Sequence, residues 1–371
     1  CGPAIGAAHD DMYDAFRHPR PERPSLPLLG PSEARAYIAE VRRLALDLLD
    51  RRGLPENRLS REGFVYGMVV QHEHQHDETM LATLQLMRGE GYRPEVMAPP
   101  EPAVDPTSLP AEVLVPAGPF VMGTSTEPWA YDNERPAHVV DLPAFFIDTF
   151  PVTNAAYVEF VESGGYDEPA WWTPEGWIWR TGTRAAHPQF WRSDGDRWWC
   201  MRFGRLQPLR PDEPVQHVCW HEATAYARFR GKRLPTEAEW EKASSWDPAG
   251  GTKRRYPWGD EEPDSGHANL GQRHVGPTPV GAYPAGASPC GAHQMIGDVW
   301  EWTASDFSPY PGFASFPYRE YSEVFFGPRY KVLRGGSWAT HPLAVRTTFR
   351  NWDLPIRRQI FAGLRLARDA T

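Results

Sequence analysis

The distribution of tryptophan divides this 371-residue chain into two parts of different kind. All 16 tryptophans lie between Trp129 and Trp352, and the first 128 residues contain none. Residues 92–111, between the two parts, contain six prolines and show no helical or strand period, which indicates an extended linker. The sequence therefore predicts one domain at residues 1–91 and a second, aromatic-rich domain at residues 112–371.

Charge and composition disfavour several classes of protein. The chain has 39 Lys and Arg residues against 48 Asp and Glu, a net charge of −9, whereas a non-specific nucleic-acid binder needs a basic surface. The chain contains no apolar run of about 18 residues, so the sequence predicts no transmembrane helix. The four cysteines are widely spaced without a CxxC pair, which disfavours a disulfide scaffold or a zinc ribbon. We therefore expect a cytoplasmic protein with no nucleic-acid or membrane partner.

The first part is predicted to be helical. Apolar residues within 37–49 recur at i, i+3 and i+4, the pattern of an amphipathic helix. A second helix is predicted over about residues 62–87. The stripe predicted to face inward on it consists of Val65, Val69, His72, His76, Met80, Thr83 and Met87. Two histidines thus occupy positions that are flanked by predicted core residues.

His72 and His76 are candidate metal ligands. They are about one helical turn apart, so both imidazoles can reach one ion. Two buried imidazoles without partners would carry a desolvation cost, and helical bundles build metal sites from such inward-facing pairs. Asp77 and Glu78 are expected to orient the two imidazoles. The alternative is a pair of partly buried histidines with ordinary hydrogen-bond partners.

The string His72-Glu73-x-x-His76 also matches the HExxH pattern of zinc proteases, in which Glu73 would be the general base. The extended form of that pattern would need glycine and histidine where the chain has Thr79 and Ala82. No strand-rich segment precedes the helix to hold a peptide. A zinc hydrolase is therefore the less favoured enzymatic alternative, and a lectin-like binding module is the non-enzymatic one.

The second part is predicted to be an irregular α+β domain rich in loops. Short apolar strands alternate with turns, and short helices are predicted after Thr153, over 221–229 and after Thr236. Neither a βαβ rhythm nor a glycine-rich phosphate loop is present, which disfavours a nucleotide-binding sheet. The predicted fold class is α+β multidomain.

Seven motifs follow one another along the chain. They are GMVVQHEHQHDETML (67–81), VPAGPFVMG (115–123), GKRLPTEAEW (231–240), YPWG (256–259), GDVWEWT (297–303), LRGGSW (333–338) and GLRL (363–366). In this order they resemble the ergothioneine-biosynthesis sulfoxide synthases. The resemblance implies a DinB-like helical bundle, lacking its first helix here, followed by a formylglycine-generating-enzyme-like domain of the C-type lectin type.

The resemblance also implies a reaction. These enzymes use Fe(II) and O₂ to join the sulfur of γ-glutamylcysteine, or of cysteine in some members, to the imidazole carbon of N,N,N-trimethylhistidine (hercynine), and they leave a sulfoxide. It implies that His72 and His76 bind the iron. Because the chain starts at Cys1, we expect it to begin inside a longer protein, with the third histidine upstream. True formylglycine-generating enzymes carry copper-binding cysteines where this chain has Thr340 and Val345, which disfavours that chemistry.

For hercynine, the resemblance implies contacts with Gln75, Asn351 and Trp352. A trimethylammonium group donates no hydrogen bond and is best held by an aromatic face, as Trp352 would provide. Tyr318 is implied as the proton donor during oxygen activation, and Tyr321 as a second tyrosine that contacts substrate.

For γ-glutamylcysteine, preferred here over cysteine, the resemblance implies contacts with Asp353, Arg357, Arg20 and Arg23. The substrate carries two carboxylates and one ammonium group. Arginine forks suit the carboxylates, and one acid suits the ammonium.

Overall fold

The computed structural model describes residues 9–14, 17–19, 22–52, 57–87, 92–195 and 197–370. The chain divides into two compact units, Cys1–Phe64 and Val65–Thr371. The helices of the described part are α1 (Asp10–Tyr13), α2 (Pro31–Arg52), α3 (Phe64–Leu86), α4 (Asn154–Glu162), α5 (Pro174–Thr183), α6 (Trp220–Phe229) and α7 (Glu237–Ser245). Across these ranges no helix has the length and apolar character needed to cross a membrane.

Short strands form several small sheets in the second unit. They are β1 (Glu112–Val115), β2 (Gly118–Met122), β3 (His138–Leu142), β4 (Phe145–Asp148), β5 (Trp191–Asp194), β6 (Arg197–Arg202), β7 (Arg205–Pro208), β8 (Trp246–Asp247), β9 (Thr252–Lys253), β10 (Trp300–Phe307), β11 (Gly327–Arg334), β12 (Asn351–Asp353), β13 (Ala362–Gly363) and β14 (Ala367–Asp369). The sheet orders are β1-β4-β14, β12-β11-β10-β13, β2-β3, β5-β6-β7 and β8-β9. This mixture of helices and small sheets confirms the predicted α+β class.

One sheet brings together the first and the last strands of the second unit. Strand β4 lies between β1 and β14, and Ile147 pairs with Val113 on one side and with Ala367 on the other. Ile147 and Phe145 are fully buried in a cluster with Trp240. The alternation of buried and half-buried residues along β4 is that of a strand with one face on the core.

Three of the sequence motifs meet in a single buried network. The Trp240 indole donates to the Glu301 carboxylate at 2.7 Å, and Arg365 pairs with the same carboxylate at 3.0 Å. Arg365 also donates to the carbonyls of Asp148 and Thr149. Because a buried ion pair is tolerated only when its remaining hydrogen-bonding groups are satisfied, this network fixes β10 and the neighbouring strands that carry part of the site.

The buried face of α3 differs from the predicted one. Val69, Met80 and Met87 are 54%, 56% and 58% exposed, so the stripe predicted to face inward is wrong. The buried residues of this helix within the second unit are Gly67, Met68, Gln71, Leu81, Ala82 and Gln85. The prediction failed because the packed face contains two buried glutamines, and a hydrophobicity pattern assigns glutamine to solvent.

The remaining helix predictions are largely confirmed. Helices α4, α6 and α7 lie where they were predicted, and Thr236 caps α7 as expected, with Glu239 completing a capping box. Helix α5 was not predicted. Residues 92–111 contain no helix or strand beyond a 3-10 turn at Pro106–Ser108. The predicted domain boundaries at 91 and 112 stay predictions.

Candidate functional site

His72 and His76 lie on successive turns of α3 and face each other. Their Nε2 atoms are 3.3 Å apart, and the rings meet edge to face with centroids 4.7 Å apart. The spacing of four residues brings them together because side chains at i and i+4 share a helix face. Burial, followed by the neighbouring His76, lowers the pKa of His72, so its imidazole stays neutral and keeps a lone pair for a ligand.

The separation of these two nitrogens suits two ligands of one metal ion. Nitrogen ligands about 2.0–2.1 Å from an ion, at about 90–110° to each other, lie about 2.9–3.4 Å apart. The observed 3.3 Å falls within that interval. Among the described residues, no third His, Cys, Asp or Glu completes a group that could hold a metal. The geometry is compatible with a metal-binding role for the pair, and that role, like the third histidine, stays a prediction.

The two acids after the pair have hydrogen-bond partners other than its imidazoles. Asp77 accepts from His74 Nδ1 at 3.1 Å, and the His74 ring stacks on His341 with centroids 3.6 Å apart. Glu78 points to the other side of the helix, where it accepts hydrogen bonds from three donors of the aromatic-rich part of the chain. Burial raises the pKa of Glu78, although these donors oppose the shift.

Gln75 is held beside the histidines by two tyrosines. Its Nε2 donates to the hydroxyl of Tyr131 at 3.1 Å and to that of Tyr321 at 3.2 Å. The two tyrosine rings are stacked with centroids 4.2 Å apart, and the Tyr321 ring lies 6.2 Å from the His72 ring. The structure thus brings His72, Gln75 and Tyr321 together, and the roles that the resemblance implies for them stay predictions.

Tyr318 lies at the outer edge of the same group. Its ring is 6.4 Å from that of Tyr321, and its side chain is 40% exposed. Burial of the rest of the ring, and then the negative charges of Asp132 and Glu320, raise the pKa of Tyr318. The phenol therefore keeps its proton at neutral pH and remains able to donate it.

Trp352 presents a fixed aromatic surface next to these tyrosines. Its indole stacks on the buried Phe307 with centroids 4.1 Å apart and an interplanar angle of 7°. Phe325 and Tyr321 approach it at 5.6 and 5.9 Å. Strand β12 sets the position of the indole, since Trp352 is in register with Val332 of β11. Beside it, Asn351 accepts from the Trp352 backbone N–H through its side-chain oxygen.

Asp353 and Arg357 form an ion pair at 3.2 Å, one residue beyond this aromatic surface. Both side chains are partly exposed, so both remain accessible to a charged ligand. Of the two arginines predicted in the first unit, Arg20 lies outside the described residues. Arg23 donates from Nε to the His18 carbonyl at 2.9 Å, and its predicted role in substrate binding stays a prediction.

Comparison with known proteins places this chain in a family. The chain is 54% identical over 368 residues to hercynine oxygenase of Mycolicibacterium smegmatis, covering 97% of this chain and 83% of that protein. It is 54% identical over 364 residues to hercynine oxygenase of Mycobacterium tuberculosis, covering 98% and 84%. The chain belongs to the hercynine oxygenase family. Residues 98–370 also match the sulfatase-modifying factor enzyme 1-like domain.

Formylglycine-generating enzymes are more distant relatives of this hercynine oxygenase family member. That of Streptomyces coelicolor is 34% identical over 304 residues, covering 75% of this chain and 95% of that enzyme. At the two places predicted to differ from such enzymes, Thr340 donates to Glu78 at 2.7 Å and Val345 packs in an apolar cluster. The free cysteines of the described part, Cys200, Cys219 and Cys290, lie elsewhere in the sequence.

Sequence reasoning did not identify Tyr131 in this family member. Tyr131 stacks on Tyr321 and contacts Gln75, and it is 1% exposed. It precedes the 3-10 turn Asp132–Glu134, and its backbone N–H donates to Glu134. Tyr131 stands beside a helix-capping signal in an aromatic-rich domain, and no local pattern there predicts its contact with Gln75, 56 residues away in the sequence.

Proposed function

We propose that this protein is an Fe(II)- and O₂-dependent sulfoxide synthase of ergothioneine biosynthesis, which joins hercynine to γ-glutamylcysteine. Two relatives named hercynine oxygenase, matched over 97% and 98% of this chain, support the hercynine part. The observation that carries the finer proposal is the chain of ring contacts from His72 through Tyr321 to Trp352, with centroids 6.2 and 5.9 Å apart. This chain links a candidate ligand pair to a surface for a trimethylammonium group.

We also infer that the helical part is DinB-like. Its helices α2 and α3 have 22 and 23 residues, lengths typical of a bundle, and α3 carries the ligand pair as bundle helices often do.

His72 and His76 would hold the iron, and neutral imidazoles suit divalent iron. When bound, Fe(II) supplies a site at which O₂ is activated beside the two organic substrates. The protein has to place both substrates next to that site and to limit the entry of water.

Trp352 would hold hercynine by its trimethylammonium group. The indole has a fixed orientation because it stacks on Phe307 and because the tilted ring of Phe325 lies beside it, with centroids 5.6 Å apart. A cation over such a face gains about 0.5–2 kcal/mol. Gln75, restrained by Tyr131 and Tyr321, would then contact the imidazole ring of hercynine at the histidine end of the site.

Asp353 and Arg357 would bind γ-glutamylcysteine through exchange of partners. A substrate carboxylate would accept from the Arg357 guanidinium, and the substrate ammonium would donate to the Asp353 carboxylate, so the present ion pair would open towards the ligand. Arg20 and Arg23 are proposed to bind the second carboxylate.

Tyr318 would supply a proton. The overall reaction removes the thiol hydrogen and one ring C–H hydrogen, forms the C–S bond and places one oxygen atom on sulfur. The second oxygen atom leaves as water, so one O₂ accepts the four electrons given up in C–S bond formation and sulfur oxidation. A protonated phenol at the edge of the site can donate towards the oxygen that becomes water.

The test is an assay of full-length protein with Fe(II), O₂ and both substrates. We expect about one O₂ consumed per sulfoxide formed, no product without Fe(II), and little O₂ uptake when hercynine is omitted. Zinc retention with peptide hydrolysis and no O₂ uptake would favour the zinc hydrolase. Absence of both metal and turnover would favour a binding module.

A further inference from the structure

Helix α3 contacts the lectin-like fold through three polar side chains at intervals of seven residues, Gln71, Glu78 and Gln85. Seven residues are two turns less about 20°, so the three lie on one line along the helix. Gln71 accepts from Arg346 at 2.6 Å and donates to the Trp129 carbonyl. Gln85 donates to the Met201 carbonyl and accepts from the Phe203 N–H, both at 2.7 Å.

Glu78, at the centre of this line, has the most donors. Its Oε1 accepts from the Trp300 indole at 2.7 Å and from the Ser337 hydroxyl at 2.6 Å, and its Oε2 accepts from the Thr340 hydroxyl at 2.7 Å. The donors come from β10 and from the turn after β11, and all three residues are buried.

The turn that carries two of these donors is itself rigid. The Ser337 backbone N–H donates to the Thr340 hydroxyl, and the Ala339 N–H donates to the Ser337 hydroxyl. The Glu78 carboxylate therefore binds to a preformed set of donors, and its three hydrogen bonds fix its position.

We propose that Glu78 is the positioning residue for the histidine pair, setting the rotation of α3 about its axis and hence the direction of the His72 and His76 imidazoles. Helical geometry places His72 and His76 about 120° and 160° around the helix from Glu78. With ring nitrogens about 6 Å from the axis, a rotation of 10° moves them by roughly 1 Å. A displacement of that size is enough to spoil a metal or substrate site.

This inference rests on the proposed function only for the identity of the metal. Co(II) alone is therefore the probe, because its visible absorption bands report ligand geometry. Glu78→Ala removes all three hydrogen bonds. Glu78→Gln is the conservative variant, since the amide oxygen can accept from the Trp300 indole and the Ser337 hydroxyl while the amide N–H donates to the Thr340 hydroxyl. Gln85→Ala is the matched control on the same line, about 13 Å along the axis from His76.

We expect Glu78→Ala in the full-length protein to weaken Co(II) binding by about tenfold or more, as loss of a supporting partner of a metal ligand does, and to alter the absorption bands. Glu78→Gln and Gln85→Ala should keep the wild-type bands. Wild-type bands and affinity in Glu78→Ala, or an equal loss in Gln85→Ala, would overturn the inference. If Glu78→Ala does not fold, Thr340→Val, which removes one donor at constant volume, is judged by the same criterion.

A crystal structure of the metal-free Glu78→Ala or Thr340→Val protein separates this inference from the proposed function. We expect the His72 ring to move away from Tyr321, beyond the present 6.2 Å. An unmoved ring overturns the positioning role whether or not the wild-type protein binds metal. Failure of the wild-type protein to bind Co(II) or Fe(II) would contradict the proposed function instead.

Discussion

His74, on the same helix as the histidine pair, provides a matched control for replacing a member of that pair. His74 lies between His72 and His76 in sequence, but its ring stacks on His341 and its Nδ1 contacts Asp77. Replacing His76 by Ala should lower Fe(II) affinity by more than about 100-fold, the upper range for loss of a mere outer partner. His74→Ala should retain iron. Iron content after gel filtration measures both, and equal retention in the two variants would remove His76 from the ligand set.

The two substrates should respond to different residues. Asp353→Asn removes one charge from the Asp353–Arg357 pair, and loss of a hydrogen bond to a charged group costs about 1.5–3 kcal/mol. We therefore expect the KM for γ-glutamylcysteine to rise by about 10–100-fold while that for hercynine changes little. Trp352→Leu, which removes the stacked indole, should show the reverse. Parallel losses for both substrates in Asp353→Asn would mean that Asp353 does not bind γ-glutamylcysteine.

The sequence supplied candidate site residues but not their contacts. The contact between the His72 and His76 imidazoles follows from their i, i+4 spacing, because the geometry of a helix is local. The stacking of Tyr131 on Tyr321 depends on how distant loops pack, and no local pattern contains it. Glu78 was noticed as an acid near the histidines, yet its actual donors, such as Trp300 and Thr340, lie more than 200 residues away.

At the level of helices, the close approach of α3 to the lectin-like fold depends on one glycine. A Cβ at Gly67 would lie 2.3 Å from the Trp129 indole, which requires the ring or the helix to move. Gly67→Ala should therefore lower the free energy of unfolding, by about 1–3 kcal/mol as for other overpacked sites.

The matched change is Gly182→Ala in α5, where a Cβ meets nothing within 4 Å. This variant should be neutral or more stable by up to about 1 kcal/mol, because alanine is the better helix former. Chemical denaturation measures both. A Gly67→Ala protein as stable as Gly182→Ala would show that α3 does not pack so closely on Trp129.

Helix α5 and the packed face of α3 are two features that the sequence patterns did not predict correctly. Thr173 caps α5 and Pro174 occupies its first turn, so a start signal for α5 was present in the sequence. For α3, the exposed Val69 and Met80 were assigned to the core because hydrophobicity alone cannot reveal that Gln71 and Gln85 are buried by hydrogen bonding to the neighbouring fold.

For the whole molecule, acid stability should depend in part on the buried His217. Burial, assisted by the charges of Arg202 and Arg358, lowers the pKa of His217 to about 3. The unfolded chain therefore binds more protons between about pH 6.5 and 3, and the free energy of unfolding falls as the pH falls, by at most about 1.4 kcal/mol per pH unit.

His217→Asn should make this decline shallower. Asparagine tolerates the positive φ of 66° at this position, and its amide can replace the hydrogen bond to the Arg358 carbonyl. Denaturation series between pH 4 and pH 7 compare the two slopes. Identical slopes would show that His217 takes up no extra proton on unfolding.

The overall architecture was predictable because residues of the sequence motifs also form the buried interactions that hold the fold together. Trp240, Glu301 and Arg365 belong to three separate motifs and form one buried network, so their order in the sequence already implied the fold. Residues such as Trp191 to Pro208, which form the β5-β6-β7 sheet, belong to no motif and were not predicted.

The most direct test of the central claim is anomalous diffraction at the iron absorption edge from crystals of the full-length protein loaded anaerobically with Fe(II). We predict one strong peak about 2.1 Å from Nε2 of both His72 and His76, on the side of the helix that faces Tyr321. Iron bound elsewhere, or imidazoles that diverge with no peak between them, would contradict the account.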